Sequence, residues 1–146
     1  MTSLTPGVQK AQIYDFHKAI GFLVLLLIIF RWYWMLTNVR PRPLSSWSLG
    51  ELGMVQASKW LLMLLMLLMP VSGMMYSLAS GYNINVFGVI SIDGFEYPNF
   101  AIKDFAHGVH TIGAYVIATL VILHIIAALK HHLVRRDGTL KRMLGH

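Results

Sequence analysis

The run from Thr111 to Leu123 carries no charged residue and is bounded by two histidines, His110 and His124. Fourteen residues rise about 21 Å along an α-helix. At roughly 100° per residue they complete almost a whole number of turns, so both imidazoles project from one face. A segment this apolar is a candidate to cross a bilayer, and ionisable side chains at that depth are rare and functional. Histidines at two depths on one helix face are what two redox centres in series across a membrane require.

The rest of the chain fits the same solvent. Of its 146 residues 56% are hydrophobic and 12% charged, a membrane composition rather than that of a soluble globular domain. The pattern predicts an all-α transmembrane helical bundle, one domain over residues 1–146, with three spanning helices. Helix A is expected over residues 11–37. In it Arg31 and the Trp32-Tyr33-Trp34 run form an interfacial belt, and the Arg40-Pro41-Arg42-Pro43 segment ends the helix. Helix B is expected over residues 59–78, starting in WLLMLLMLLM and containing Pro70, which kinks a spanning helix without abolishing it. Helix C is expected over residues 102–133. The B–C connection contains INVFGVISI, apolar but too short to span and therefore expected at the interface.

Cysteine is absent, which excludes disulfides, iron–sulfur clusters and thiolate zinc sites. The net charge of +6 is clustered beside apolar segments, so it reads as topology and lipid contact, with no nucleic-acid partner expected. Nine lysines and arginines lie in the A–B connection and the C-terminal tail, namely Arg31, Arg40, Arg42, Lys59, Lys130, Arg135, Arg136, Lys141 and Arg142. Lys10, Lys18 and Lys103 alone lie in the N-terminal arm and the B–C loop. The imbalance places the A–B loop and the C-terminus in the cytoplasm and the starts of helices A and C at the outer face. The first ten residues are polar and do not read as a signal peptide, so targeting is expected to reside in the spanning helices.

His17 opens helix A and His110 lies near the start of helix C, at similar outer depth. Two neutral imidazoles from two helices can hold one iron from opposite sides of a porphyrin. That leaves no open position and suits electron transfer rather than oxygen binding. His107, one turn before His110, is a rival outer ligand, while His131 and His132 read as interfacial basic residues. Gly21, Gly108 and Gly113 either let a flat macrocycle approach the backbone or serve helix packing. Arg31 stands fourteen residues after His17, the same interval as His110 to His124, and could pair with a heme propionate or with a lipid phosphate. Met63, Met66 and Met69 stripe helix B and read as apolar filling more readily than as thioether ligands.

HKAIG at the start of helix A resembles the bacterial cytochrome b561 family of the inner membrane. So do PVSG followed by SLASGYNINVFG, and the C-terminal HIIAALKHHLVRRDGTLKRML. The resemblance runs from about Gln12 to Leu144. It implies a four-helix bundle in the bacterial inner membrane binding two b-type hemes. The outer heme is then held by the residues matching His17 and His110. The inner heme is held by the one matching His124 and a histidine near the start of the family's first helix. The family passes electrons between the quinone pool, ubiquinone being the expected partner, and a second redox partner. Some members are linked to hydrogenases, and one branch oxidises superoxide to oxygen.

Two departures stand out. Nothing corresponding to the family's first helix precedes His17, and MTSLTPGVQKAQIYDF resembles the loop that follows it, as expected of a late start or a truncation. In VQASKW, Gln56 and Lys59 occupy a stretch that often holds a histidine. The inner heme is thus expected to lack its second ligand here unless a second protomer supplies it. The expected function is a membrane b-type cytochrome. A heme-poor anchor subunit of a larger respiratory or hydrogenase-type complex is the alternative. A His/Met metal transporter ranks last, because helices B and C carry no carboxylate in their apolar runs.

Overall fold

A computed structural model describes residues 7–39, 48–130 and 133–134. Three helices dominate: α1 (Val8–Thr37), α2 (Leu49–Ala79) and α3 (Phe100–Lys130), with a hairpin of β1 (Ile84–Val86) and β2 (Ile90–Ile92) between α2 and α3. Thirty residues of helix span about 45 Å, more than the roughly 30 Å of a bilayer core. All three helices are long and apolar enough to cross a membrane.

The helices lack a water-facing polar side. Leu27 is 66% exposed and Ile122 58%, and the buried hydrophobic set is short: Ala19, Ile28, Met63, Leu65, Ala79 and Ala106 along the helices. A helix apolar all round belongs in lipid rather than in water. α2 is the centre, packing against both neighbours, whereas no Cα of α1 comes within 8 Å of a Cα of α3 among the described residues. The bundle is therefore a rib of α2 with two flanking helices held apart. The rings of His17 and His110 approach one another, which puts the N-terminal parts of α1 and α3 at one end. We call that end outer and the opposite end inner, after the charge asymmetry.

α2 begins ten residues before its expected start, at Leu49 rather than Lys59. The cause is a capping box: Ser48 Oγ accepts from Glu51 N, and the Glu51 carboxylate accepts from Ser48 N. These bonds satisfy orphan donors at the helix start. α1 starts three residues before Ala11 and α3 two before Ile102, where the Asn99 carboxamide oxygen accepts from Ile102 N at 3.0 Å. The expected end of helix C at Leu133 adjoins His131 and His132, which lie outside the described residues, as do Arg40, Arg42, Arg135, Arg136, Lys141, Arg142 and His146.

The B–C connection is more ordered than its composition implies. Ile84 pairs with Ile92 and Val86 with Ile90, antiparallel. Phe87 (φ 50°) and Gly88 (φ 75°), both in the left-handed region, are the central residues of a turn closed by Val89 N donating to Val86 O at 3.0 Å, within a three-residue connection. The base is bound by polar contacts. Asn83 Nδ2 donates to Asp93 Oδ1 at 3.0 Å, and Gly94 N donates to Asn83 Oδ1 at 2.9 Å. Gly94 packs so closely on the preceding turn that a Cβ there would lie 2.5 Å from the Gly81 carbonyl carbon.

Candidate functional site

His17, on the third turn of α1, and His110, on the third turn of α3, meet across the α1–α3 gap with ring centroids 6.1 Å apart and planes at 85°. The gap exists because α2 separates the two helices, and the histidines are the side chains that bridge it near the outer end.

α2 seats His110 in detail. His110 Nδ1 lies 2.9 Å from the Met69 carbonyl oxygen and 3.2 Å from Ser72 Oγ. Ser72 is buried and donates its own hydroxyl proton to the same carbonyl at 3.0 Å. Both atoms facing Nδ1 are thus acceptors, so Nδ1 carries the ring proton and the Nε2 lone pair is left free. That is the tautomer a metal-ligating histidine adopts when its other nitrogen donates to a backbone carbonyl. Gly73 makes the close approach possible, since a Cβ there would stand 2.9 Å from His110 Cε1. One turn along α3 the relation reverses: a Cβ on Gly113 would lie 2.8 Å from Met69 Sδ. Met69 therefore contributes its carbonyl to the seat and its sulfur to the α2–α3 contact, and Met63 is buried in packing.

The donor set and spacing fit an axially ligated porphyrin iron. Metal–imidazole bonds of about 2 Å on opposite sides of one iron place ring centroids roughly 6 Å apart. Gly21 is one turn along α1 from His17, and nothing stands within 4 Å of where its Cβ would be. The same holds at Gly108, whereas Gly113 serves close helix packing. Among the described residues no group of three or more His, Asp or Glu side chains converges.

The other candidate residues are distributed as follows. His107 turns toward α2, where its ring lies 4.9 Å from that of Tyr76, rather than toward His17. His124 is exposed on α3 and Arg31 is exposed on α1. Each stands about 21 Å along its helix from the histidine pair, so Arg31 shares its depth with His124 and is remote from His17. The structure adds residues that sequence reasoning passed over. Lys18, next to His17, pairs with Asp15 at 2.7 Å and donates to the Asn83 carbonyl at 3.0 Å, tying the hairpin to α1. The i,i+3 spacing of Asp15 and Lys18 signals the ion pair. Ser72 and Gly73 stand in PVSG, but no local signal shows that they face His110.

The whole chain, residues 1–146, matches the family model described as prokaryotic cytochrome b561. It is 35% identical over 131 residues to cytochrome b561 homolog 2 of Escherichia coli K12, covering 90% of this chain and 70% of that protein. It is 29% identical over 128 residues to the probable superoxide oxidase CybB of Yersinia pestis, covering 88% of this chain and 72% of that one.

Proposed function

The chain belongs to the prokaryotic cytochrome b561 family of membrane b-type cytochromes acting in electron transfer, and from that premise we propose that His17 and His110 are the axial ligands of an outer heme b. The carrying observation is the 6.1 Å approach of the two rings across a gap that α2 holds open. Held by these two residues, heme b would supply one-electron Fe(III)/Fe(II) chemistry.

The chain's own residues do the rest. His110 leaves its Nε2 lone pair free because Nδ1 is committed to the Met69 carbonyl. His17 would hold the group from the α1 side, and with both histidines engaged the site would suit electron exchange rather than binding of a small molecule. The pair lies near the outer ends of α1 and α3, within reach of a donor at that face. The Yersinia relative's name points to a small one-electron reductant of the superoxide type, which would leave as dioxygen after giving up its electron. His124 is an inner ligand on the same helix, and Arg31, at the same depth, suits an anionic propionate. Electrons then cross toward a quinone in the inner-membrane lipid, two per quinol formed. The basic residues flanking α1 and α3 support a cytoplasmic C-terminus.

The test is a heme-to-protein ratio by pyridine hemochrome on the purified chain, with a reduced-minus-oxidised spectrum. One heme lost by both His17→Ala and His110→Ala supports the outer site. A second heme lost by His124→Ala supports the inner one. A heme-free chain with no low-spin α-band overturns the reading in favour of an anchor subunit.

A further inference from the structure

The hairpin presents apolar side chains on surfaces that no part of the described chain covers. Ile84 is fully buried and Val86 5% exposed on the side packed inward, as expected of a strand seated on a helix. Beyond the strands the tip is apolar too: Phe87 is 54% exposed and Val89 85%, and Ile90, on the same face as its partner Val86, is still 46% exposed. Within the strands the outward positions, Asn85 and Ser91, are polar but uncharged, and INVFGVISI contains no charge at all. Charge is confined to the base, where Asn83, Asp93 and the Lys18 ammonium meet.

The turn itself departs from the usual chemistry. Its first residue, in the left-handed region at φ 50°, is Phe87, whereas Asn, Asp or Gly takes that position with less strain. An aromatic held there projects from the tip. Its ring packs edge-on against Phe16 at 6.2 Å, and Phe16 is itself 61% exposed on the spanning helix α1. The tip is thus continuous with the surface that α1 turns toward the acyl chains.

We propose that the β1–β2 hairpin is a lipid-inserted wedge, its Phe87–Val89 tip lying at the headgroup–acyl boundary of the outer leaflet. An uncharged apolar tip joined to a spanning surface, above a polar base, matches the polarity gradient of that boundary. The Lys18–Asn83 bond then locks the level of the bilayer surface to the helix turn that carries His17. The proposal rests on the membrane location of α1, not on heme ligation.

The chain contains no cysteine, so nitroxide labels can be placed singly on the full-length protein. The labelled protein is purified with its bound cofactor and reconstituted in phosphatidylcholine vesicles. Power-saturation EPR compares collisions with oxygen, which concentrates in lipid, and with a water-soluble nickel chelate. A label at Val89→Cys is expected to favour oxygen several-fold, and one at Glu96→Cys the chelate. Adding Val89→Asp to an Ile90→Cys background is expected to move the label at position 90 toward the chelate. A label at position 89 favouring the chelate overturns the proposal. So does shielding from both reagents, as a docked protein would cause, or dipolar broadening relieved by dilution with unlabelled chain, as a second copy would cause. The absorption spectrum of the same samples reports heme ligation separately, so failure of one reading is distinguishable from failure of the other.

Discussion

His110 and His124 share a helix and a face, but their surroundings differ. His110 has a seat: a carbonyl and a hydroxyl at Nδ1, a glycine under the ring and a second imidazole across the gap. His124 is exposed and makes no side-chain hydrogen bond or ring contact among the described residues. The outer end also has the hairpin, the Asn83–Asp93–Gly94 network and the Lys18 clasp. At the inner end the described contacts include the Trp32–Trp60 ring pair at 6.0 Å, beside which the Trp32 indole N–H is buried without a hydrogen-bond partner among the described residues. The contrast teaches that a histidine at a suitable depth is only half of a ligand. The other half is the packing that fixes its tautomer and leaves room for what it holds.

Substitutions can break or sharpen that contrast. The largest effect is expected from His110→Ala, which should abolish the outer heme by pyridine hemochrome while any inner heme keeps its α-band; an unchanged heme count would remove the basis for asymmetry. Next comes Gly73→Ala. Its Cβ falls 2.9 Å from His110 Cε1, and overpacking of this kind destabilises by about 1–3 kcal/mol. Heme occupancy and thermal unfolding should both fall, whereas Gly21→Ala, with open space around it, should tolerate the methyl better.

A smaller effect is expected from Ser72→Ala. Losing one acceptor at Nδ1–H makes the imidazole less electron-rich, so the oxidised iron is less stabilised and the outer midpoint potential rises. A hydrogen bond of about 1 kcal/mol corresponds to roughly 40 mV for one electron. Redox titration should show that shift in one heme only; equal shifts in two hemes, or none, would detach Ser72 from the outer site. The smallest effect is expected from Ser48→Ala, which removes the α2 cap at the inner end. It should lower stability by about 1 kcal/mol and leave the outer heme spectrum unchanged.

Much of this arrangement was legible in the residues themselves. Long uncharged runs announce three spans because lipid leaves the backbone no other partners. Equal depth for His17 and His110 follows from helix order. The early start of α2 was legible too, as Ser48-x-x-Glu51, but LGELGMVQAS reads polar and glycine-rich and masks the cap. The hairpin hides for a different reason: its strands are three residues each, and Phe-Gly is not the turn pair that marks a hairpin. The seat of His110 could not be read at all. Which turn of α2 faces which turn of α3 is a matter of long-range register, and Gly73 and Gly113 acquire their roles only when the two helices cross.

The separation of α1 from α3 bears on the order in which the molecule is assembled. α2 and α3 share an extensive seam that completes itself, with His110 already oriented. α1 is tethered by α2, by the hairpin and by whatever joins the two imidazoles. A group bound between them contributes its binding free energy to the docking of α1. Cofactor insertion and the last step of helix assembly are then one event, and starvation for the cofactor would be felt as a defect in biogenesis before it was felt as a loss of electron flow.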